Sequence, residues 1–296
     1  MEVVGLYLVR NEADLIEVNL RHHLSTLIDR AVLVDDGSTD GTLKILDRLA
    51  RRLPIAVSSD QGPYRQEIVT TRLAREAASA GADWVVPIDA DEFWVGDRTE
   101  LQSSPYGVLR VPVVNFAQRR DVRKRSARGL LTMTMRPAEQ VGPAEDCERL
   151  VVTREIGFVE MLYSPKCISR PSPEVEIRGG NHAVVGAAGP EGVAQSFTCL
   201  HAAIRARDVL DQKAVAGSRV APGGWKPGQC WHLVRWWEMS RQPEGLDDEW
   251  AANSWEDDAL LVAGQHRPLV VDTQLARAVA PHLPRQSLFA RKATHS

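Results

Sequence analysis

Four short apolar runs, each passing into a helical pattern, constrain this chain more than any other feature. They are Val3-Val4-Gly5-Leu6-Tyr7-Leu8-Val9, Ala31-Val32-Leu33-Val34, Ile55-Ala56-Val57-Ser58 and Trp84-Val85-Val86-Pro87-Ile88. Between them, apolar residues recur at helical spacing: Leu15, Leu20, Leu24, Leu27 and Ile28, then Leu43, Leu46, Leu49 and Leu53, then a pattern over residues 65–80. Strands alternating with helices imply a parallel sheet with right-handed crossovers. Open sheets of that kind bind ligands at the carboxyl ends of their strands. Here those ends run into polar, acidic turns: Arg10-Asn11-Glu12, Asp35-Asp36-Gly37-Ser38-Thr39-Asp40-Gly41-Thr42, and Asp89-Ala90-Asp91-Glu92-Phe93. Glu12, Asp35, Asp36, Asp89 and Asp91 therefore collect along one edge.

The third turn is the most demanding. Asp89, Asp91 and Glu92 follow a buried strand, with no basic residue between Trp84 and Asp97. Buried acids are costly unless paired or bound to a cation, and a hard divalent ion is a natural partner for them. The plain alternative is a polar strand-to-loop turn, where Asp is common anyway.

Taken in order and spacing, the three turns resemble the inverting glycosyltransferases of family two, which have the GT-A fold. The resemblance covers about the first hundred residues. It is closest to a branch with an acidic Asp-Glu-Phe run after the strand. Later segments typical of that branch are matched by Lys166-Cys167-Ile168-Ser169-Arg170-Pro171, His182 and His201. Where the branch often has His-Tyr, this chain has His201-Ala202.

The resemblance implies an α/β fold of GT-A (Rossmann-like) type, a mostly parallel sheet flanked by helices; the last third departs from that core and reads as a C-terminal helical extension. The resemblance also implies a glycosyltransferase domain over 1–220, with a nucleotide-binding half over 1–115 and an acceptor half over 116–220. A Trp-rich extension follows over 221–296. The implied reaction moves a sugar from a nucleoside-diphosphate sugar, UDP-linked, to an acceptor hydroxyl with inversion. Arg10, Asn11, Glu12, Asp36, Arg65, Asp89 and Lys166 would serve the donor nucleotide. Asp91 and His201 would hold Mn²⁺ or Mg²⁺, and imidazole favours Mn²⁺. Asp146, Glu145 and His182 are the candidates for the base that inverting transfer requires. Two other readings are a sugar-phosphate nucleotidyltransferase and a non-catalytic nucleotide-sugar-binding protein of the same fold. The first needs a Gly-rich triphosphate loop after the opening strand, and Arg10-Asn11-Glu12 has no glycine.

Composition narrows the class further. A chain of 296 residues with net charge −3 does not carry the bulk electrostatics of a nucleic-acid binder. No apolar run approaches the ~18 residues of a membrane span. The start of the chain, with Glu2 and an immediate strand, does not read as a signal peptide. Cys147, Cys167, Cys199 and Cys230 are widely spaced, which reads as reduced thiols in a cytoplasmic protein.

Two segments lie outside the motifs. Arg119-Arg120-Asp121-Val122-Arg123-Lys124-Arg125-Ser126-Ala127-Arg128 reads as a mobile solvated loop, since runs of like charge tend to be disordered. Contact with an anionic acceptor, a lipid phosphate or a membrane surface is the alternative. Pro222-Gly223-Gly224 and Pro227-Gly228 read as a hinge before Trp231, Trp236, Trp237, Trp250 and Trp255. Those tryptophans fit core packing, a cap over the acceptor side, or a homodimer contact.

Overall fold

The computed structural model describes residues 1–60, 65–142, 144–220 and 230–284, with Ala144 and Glu145 described by backbone only. The hinge read at 222–228 lies outside the described residues.

The main sheet has seven strands in the order β13-β6-β10-β4-β1-β2-β3. They are β1 (Val3–Val9), β2 (Arg30–Asp35), β3 (Ile55–Ser59), β4 (Trp84–Pro87), β6 (Val108–Val111), β10 (Lys166–Ser169) and β13 (Glu191–Val193). Strands β4, β1, β2 and β3 are mutually parallel, and β10 runs antiparallel to both β4 and β6. The crossovers are α1 (Ile16–Thr26), α2 (Thr42–Ala50) and α3 (Gln66–Ser79).

The two faces of the sheet follow from strand alternation. Val3, Tyr7 and Val9 pack with Ile16, Leu20 and Leu46 on the side of α1 and α2. Val4 and Leu6 pack with Val69, Leu73 and Ala77 of α3 on the other. At Gly5 an added Cβ would lie 2.7 Å from the Ile28 side chain, so the missing side chain lets Ile28 close over β1.

The apolar run 108–114 is broken at Pro112. Val108–Val111 belongs to the main sheet, whereas β7 (Val113–Asn115) joins β5 (Glu92–Val95) and β14 (Thr198–His201) in a second sheet of order β5-β14-β7. Proline supplies no N–H to a ladder, so it suits the point where the chain changes sheets. A small hairpin of β11 (Glu176–Arg178) and β12 (Ala183–Val185) leans on α3 through Thr71, whose hydroxyl meets the Ile177 backbone. The short α4 (Thr99–Ser103) closes the base, its Leu101 carbonyl accepting the Trp84 indole N–H.

The C-terminal extension is helical in α7 (Trp231–Met239), α8 (Gly245–Asn253) and α9 (Gln274–Val279). It also supplies β15 (Ser254–Glu256), β16 (Ala259–Val262) and β17 (Gln265–Val271). With β8 (Gln118–Arg119) and β9 (Met135–Pro137) they form a sheet of order β8-β15-β16-β17-β9. Trp236 and Trp250 are buried with Phe158, Leu246 and Leu260 in a core shared with α5 (Ala144–Val152) and α6 (Arg207–Val220).

The basic run is anchored rather than mobile. Arg120 binds Glu256 and the Ala251 and Ser254 carbonyls, Arg123 pairs with Asp247, and the Arg125 backbone N–H donates to Asp208. The acids that hold it come from α6, α8 and β15, far along the chain, and sequence proximity could not reveal them. Among the described residues no helix is long and apolar enough to cross a membrane.

Beneath the acidic turn, α1 inserts three polar side chains. Asn19 Nδ2 donates to the Ala90 and Glu92 carbonyls at 3.0 and 2.7 Å. His22 meets the Trp94 carbonyl at 2.8 Å, and His23 Nε2 accepts the Trp94 N–H at 3.1 Å. His23 Nδ1 then donates to Asn19, so a second ring proton would face the Trp94 N–H head-on. Replacing Asn19 by Leu leaves two buried carbonyls unpaired and should destabilise the fold by roughly 2–4 kcal/mol in denaturant unfolding. Burial, with the neighbouring His22, holds His23 well below its ordinary 6.5. As pH falls below 6.5 the unfolded chain takes up a proton that the native ring refuses, so stability is lost. Between about pH 7.5 and 5.5, the wild type should lose about 1.4 kcal/mol more unfolding free energy than His23→Gln. Equal losses would mean that His23 titrates alike in both states.

Candidate functional site

The turns after β1, β2 and β4 converge because those strands are adjacent and parallel. Asn11 takes a left-handed conformation (φ 57°) that turns the chain from β1 into α1. Its side-chain oxygen accepts the Thr39 N–H at 2.7 Å, and its own N–H donates to Ser38 Oγ at 2.9 Å. The Glu12 N–H donates to Thr42 Oγ1 at 2.8 Å. Ser38 and Thr42 thus staple the second turn to the first, while the Asp35 carboxylate accepts the Ser38 N–H at 3.0 Å. A cavity of about 380 Å³ opens there, lined by Arg10, Asp36, Gly37, Ser38, Thr39 and Arg219.

Asp36, Glu12, Asp14, Asp89 and Glu92 each face at least one cation, and two of the cations are shared. Asp36 lies 2.8 Å from Arg219 Nη1 and 3.6 Å from Arg10 Nη1. Glu12 and Asp14 share Arg205, at 2.8 and 2.7 Å. Burial drives Glu12 up to about 7 against the pull of Arg205. Asp89 and Glu92 share Lys166, each at 2.8 Å, and the third Lys166 N–H goes to the Gly180 carbonyl at 2.8 Å. All three N–H groups of Lys166 are thus spent on protein, so it orients Asp89 and Glu92 rather than presenting a free donor. Burial raises Glu92 to about 7 although Lys166 opposes it. The Asp89 carboxylate also accepts from Gln66 at 3.0 Å and Asn181 at 3.4 Å.

Asp91 points elsewhere. Its Oδ1 faces His201 Nε2 at 3.8 Å and its Oδ2 is 3.0 Å from Lys213 Nζ. Burial alone would raise it; Lys213 and His201 outweigh that and carry it well below the usual carboxylate range. The imidazole orientation is set from behind. Asn115 Nδ2 donates to the Met161 carbonyl, so its Oδ1 is the acceptor for His201 Nδ1 at 2.8 Å. With Nδ1 engaged by Asn115, the ring turns Nε2 towards Asp91. Hydrogen-bonded imidazole with a free nitrogen is how histidine meets metals. Asp91 and His201 could supply two ligands to a divalent ion, although no group of three or more His, Cys, Asp or Glu gathers among the described residues.

The remaining candidates spread out. Arg65 is exposed at the start of α3, and its neighbour Gln66 is the residue that reaches Asp89. His182 follows a turn in which Gly179, Gly180 and Asn181 all have positive φ. Its Nδ1 lies 3.3 Å from the Pro165 carbonyl, and burial together with Lys166 lowers it to about 4. Tyr163 stands between the histidines, its ring 6.5 Å from His182 and 5.3 Å from His201. Asp146 is exposed on α5, with no hydrogen bond to Asp89, Asp91 or His201 among the described residues. The Glu145 side chain lies outside the described residues. Arg170 stacks 4.3 Å over Trp84, away from the acidic edge.

Sequence reading missed Arg205, Lys213, Arg219, Asn19 and Asn115. The first three lie on or just before α6, one helix after His201, and a run of cations there was the one available signal.

Residues 8–134 match the model for Glycosyl transferase family 2. This part of the chain is similar to that family. A curated relative, the succinoglycan biosynthesis protein ExoA of Rhizobium meliloti (strain 1021), is 38% identical over 93 residues. That match takes in 30% of this chain and 28% of the relative's length. Among solved structures, the mannosyltransferase PcManGT from Pyrobaculum calidifontis, in complex with GDP-Man and Mn²⁺, is 16% identical. The alignment covers 95% of this chain and 73% of that one at a TM-score of 0.39. S. aureus TarS 1-349 is 12% identical, with 81% and 71% covered and a TM-score of 0.38.

The Lys166 clamp should be structural. Lys166→Met strands two carboxylates and should cost roughly 3–5 kcal/mol in urea unfolding, with partial recovery in Lys166→Met/Glu92→Gln. An unchanged midpoint in the single variant would show that Lys166 carries no such load.

Proposed function

We propose that this chain is a metal-dependent glycosyltransferase that moves a sugar from a nucleoside-diphosphate sugar, UDP-linked, to an acceptor hydroxyl with inversion. The observation that carries this reading is the facing pair of Asp91 and His201. They lie at the edge where the Asn-Glu and Asp-Asp-Gly-Ser turns meet. The family 2 match over residues 8–134 supports sugar transfer as the chemistry.

In this reading Glu12 and Asp36 accept hydrogen bonds from the nucleoside, and charge strengthens such bonds. Arg10 flanks the cavity beside Asp36. Asp91 and His201 hold the divalent ion, Mn²⁺ by the preference of imidazole. Bound there, it supplies a Lewis acid for the diphosphate. Lys166, Gln66 and Asn181 fix Asp89 for the ribose or donor sugar. The acceptor oxygen bonds to the anomeric carbon as the bond from that carbon to the diphosphate oxygen breaks. The electron pair leaves with the diphosphate, and the hydroxyl proton passes to a base. His182 is favoured over Asp146 as that base on geometry: it is half-buried beside the Lys166–Asp89 pair and its Nδ1 contact leaves Nε2 as an acceptor, while burial and Lys166, lowering it to about 4, weaken it as a base. No disulfide joins Cys147, Cys167, Cys199 or Cys230 among the described residues, which supports the cytoplasmic reading.

The test is calorimetric titration of UDP, GDP and dTDP, with and without Mn²⁺, into wild type and Asp91→Asn. One diphosphate, UDP, should bind only with the metal and at least about tenfold more weakly to the variant. Binding indifferent to Mn²⁺ would remove the metal from the reading, and binding of none of the three would remove the donor site.

A further inference from the structure

The cations around the acidic edge fall into two kinds. Lys166 and Arg205 have side chains only 6% and 1% exposed, and each is shared by two carboxylates. Lys213 and Arg219, both on α6, are 20% and 29% exposed and each reaches a single donor-site carboxylate. The first pair is locked by burial and double pairing. The second pair has room to exchange partners.

Helix α6 is held from two sides. Gln212 ties it to the first turn through the Asn11 carbonyl at 2.7 Å. At Gly217 an added Cβ would lie 1.9 Å from the Leu233 carbonyl oxygen, so α6 and α7 are in backbone contact. Any exchange is therefore a side-chain motion on a fixed helix. Lys213 also has somewhere to go: its ammonium already lies 6.0 Å from the Trp236 ring, a face that attracts cations.

Resting on the donor-site reading above, we propose that Lys213 is a placeholder cation that competes with the divalent ion for Asp91. Before the donor binds, the ammonium neutralises a buried carboxylate that would otherwise be costly to keep charged. A divalent ion arriving alone must displace that ammonium or sit beside it, and like charges repel. A nucleoside diphosphate reverses the balance, because its phosphates give Lys213 a new partner while Asp91 passes to the ion. Metal and nucleotide then bind as mutually dependent ligands, and Lys213 becomes a diphosphate-contacting residue in the loaded site.

The test uses Mn²⁺ as the probe, with free Mn²⁺ followed by electron paramagnetic resonance and the fold checked by circular dichroism. Lys213→Met should bind Mn²⁺ without nucleotide about tenfold more tightly than wild type, as expected when one neighbouring charge is removed. Lys213→Gln should behave likewise, Lys213→Arg should stay near wild type, and Lys213→Met/Asp91→Asn should lose the gain. UDP with Mn²⁺ should bind Lys213→Met about tenfold more weakly. Equal or weaker Mn²⁺ affinity in the folded neutral variants, or no Mn²⁺ binding to any of them, overturns the proposal. If the Mn²⁺ gain appears but wild type binds no nucleoside diphosphate, the donor-site reading fails instead.

Discussion

Everything at the working edge of this molecule depends on compensating buried negative charge. Six carboxylates (Glu12, Asp14, Asp36, Asp89, Asp91 and Glu92) come together where parallel strands end. A charge taken out of water costs several kcal/mol unless partnered. The fold meets that demand with cations from distant elements: Lys166 from an antiparallel strand, and Arg205, Lys213 and Arg219 from one helical stretch. The acidic turns and the later half of the chain are therefore energetically inseparable.

That dependence explains the route of the polypeptide. Strand β10 inserts between β4 and β6 and so delivers Lys166 beside Asp89 and Glu92. Strand β14 pairs with β5, putting His201 opposite Glu92 in register and close to Asp91. The Ala202 N–H then donates to the Asp91 carbonyl at 2.8 Å, fixing the backbone on both sides of the gap. Ala202 is fully buried, so the position that often carries a ring in similar sequences is here a packing site.

The C-terminal segment takes part in the same framework. Strand β15 pairs with β8, and Trp250 donates to the Arg120 carbonyl at 3.0 Å. Two of its tryptophans fill the core beneath α6, the helix that carries Lys213. The basic run that looks like a free loop in the sequence is instead the seam between the two parts, because the acids that meet Arg120, Arg123 and Arg125 lie more than eighty residues away.

The alternating strands and helices, the acidic turns at their ends and the Asp91–His201 pairing candidate could all be read from the chain, because each rests on local periodicity or a short motif. Periodicity could not say which cation serves which acid. Lys166 reads as a residue facing the donor, and folding spends all three of its N–H groups on Asp89, Glu92 and Gly180. Asn19 and Asn115 look like ordinary polar residues until the tertiary structure sets one beneath the acidic turn and the other behind His201. Pro112 marks a break, but only the packed sheets show that the chain changes sheet there. A sequence specifies elements through near-neighbour spacing; ion pairing and hydrogen-bond orientation depend on contacts between residues tens to hundreds of positions apart, and only the folded chain makes those.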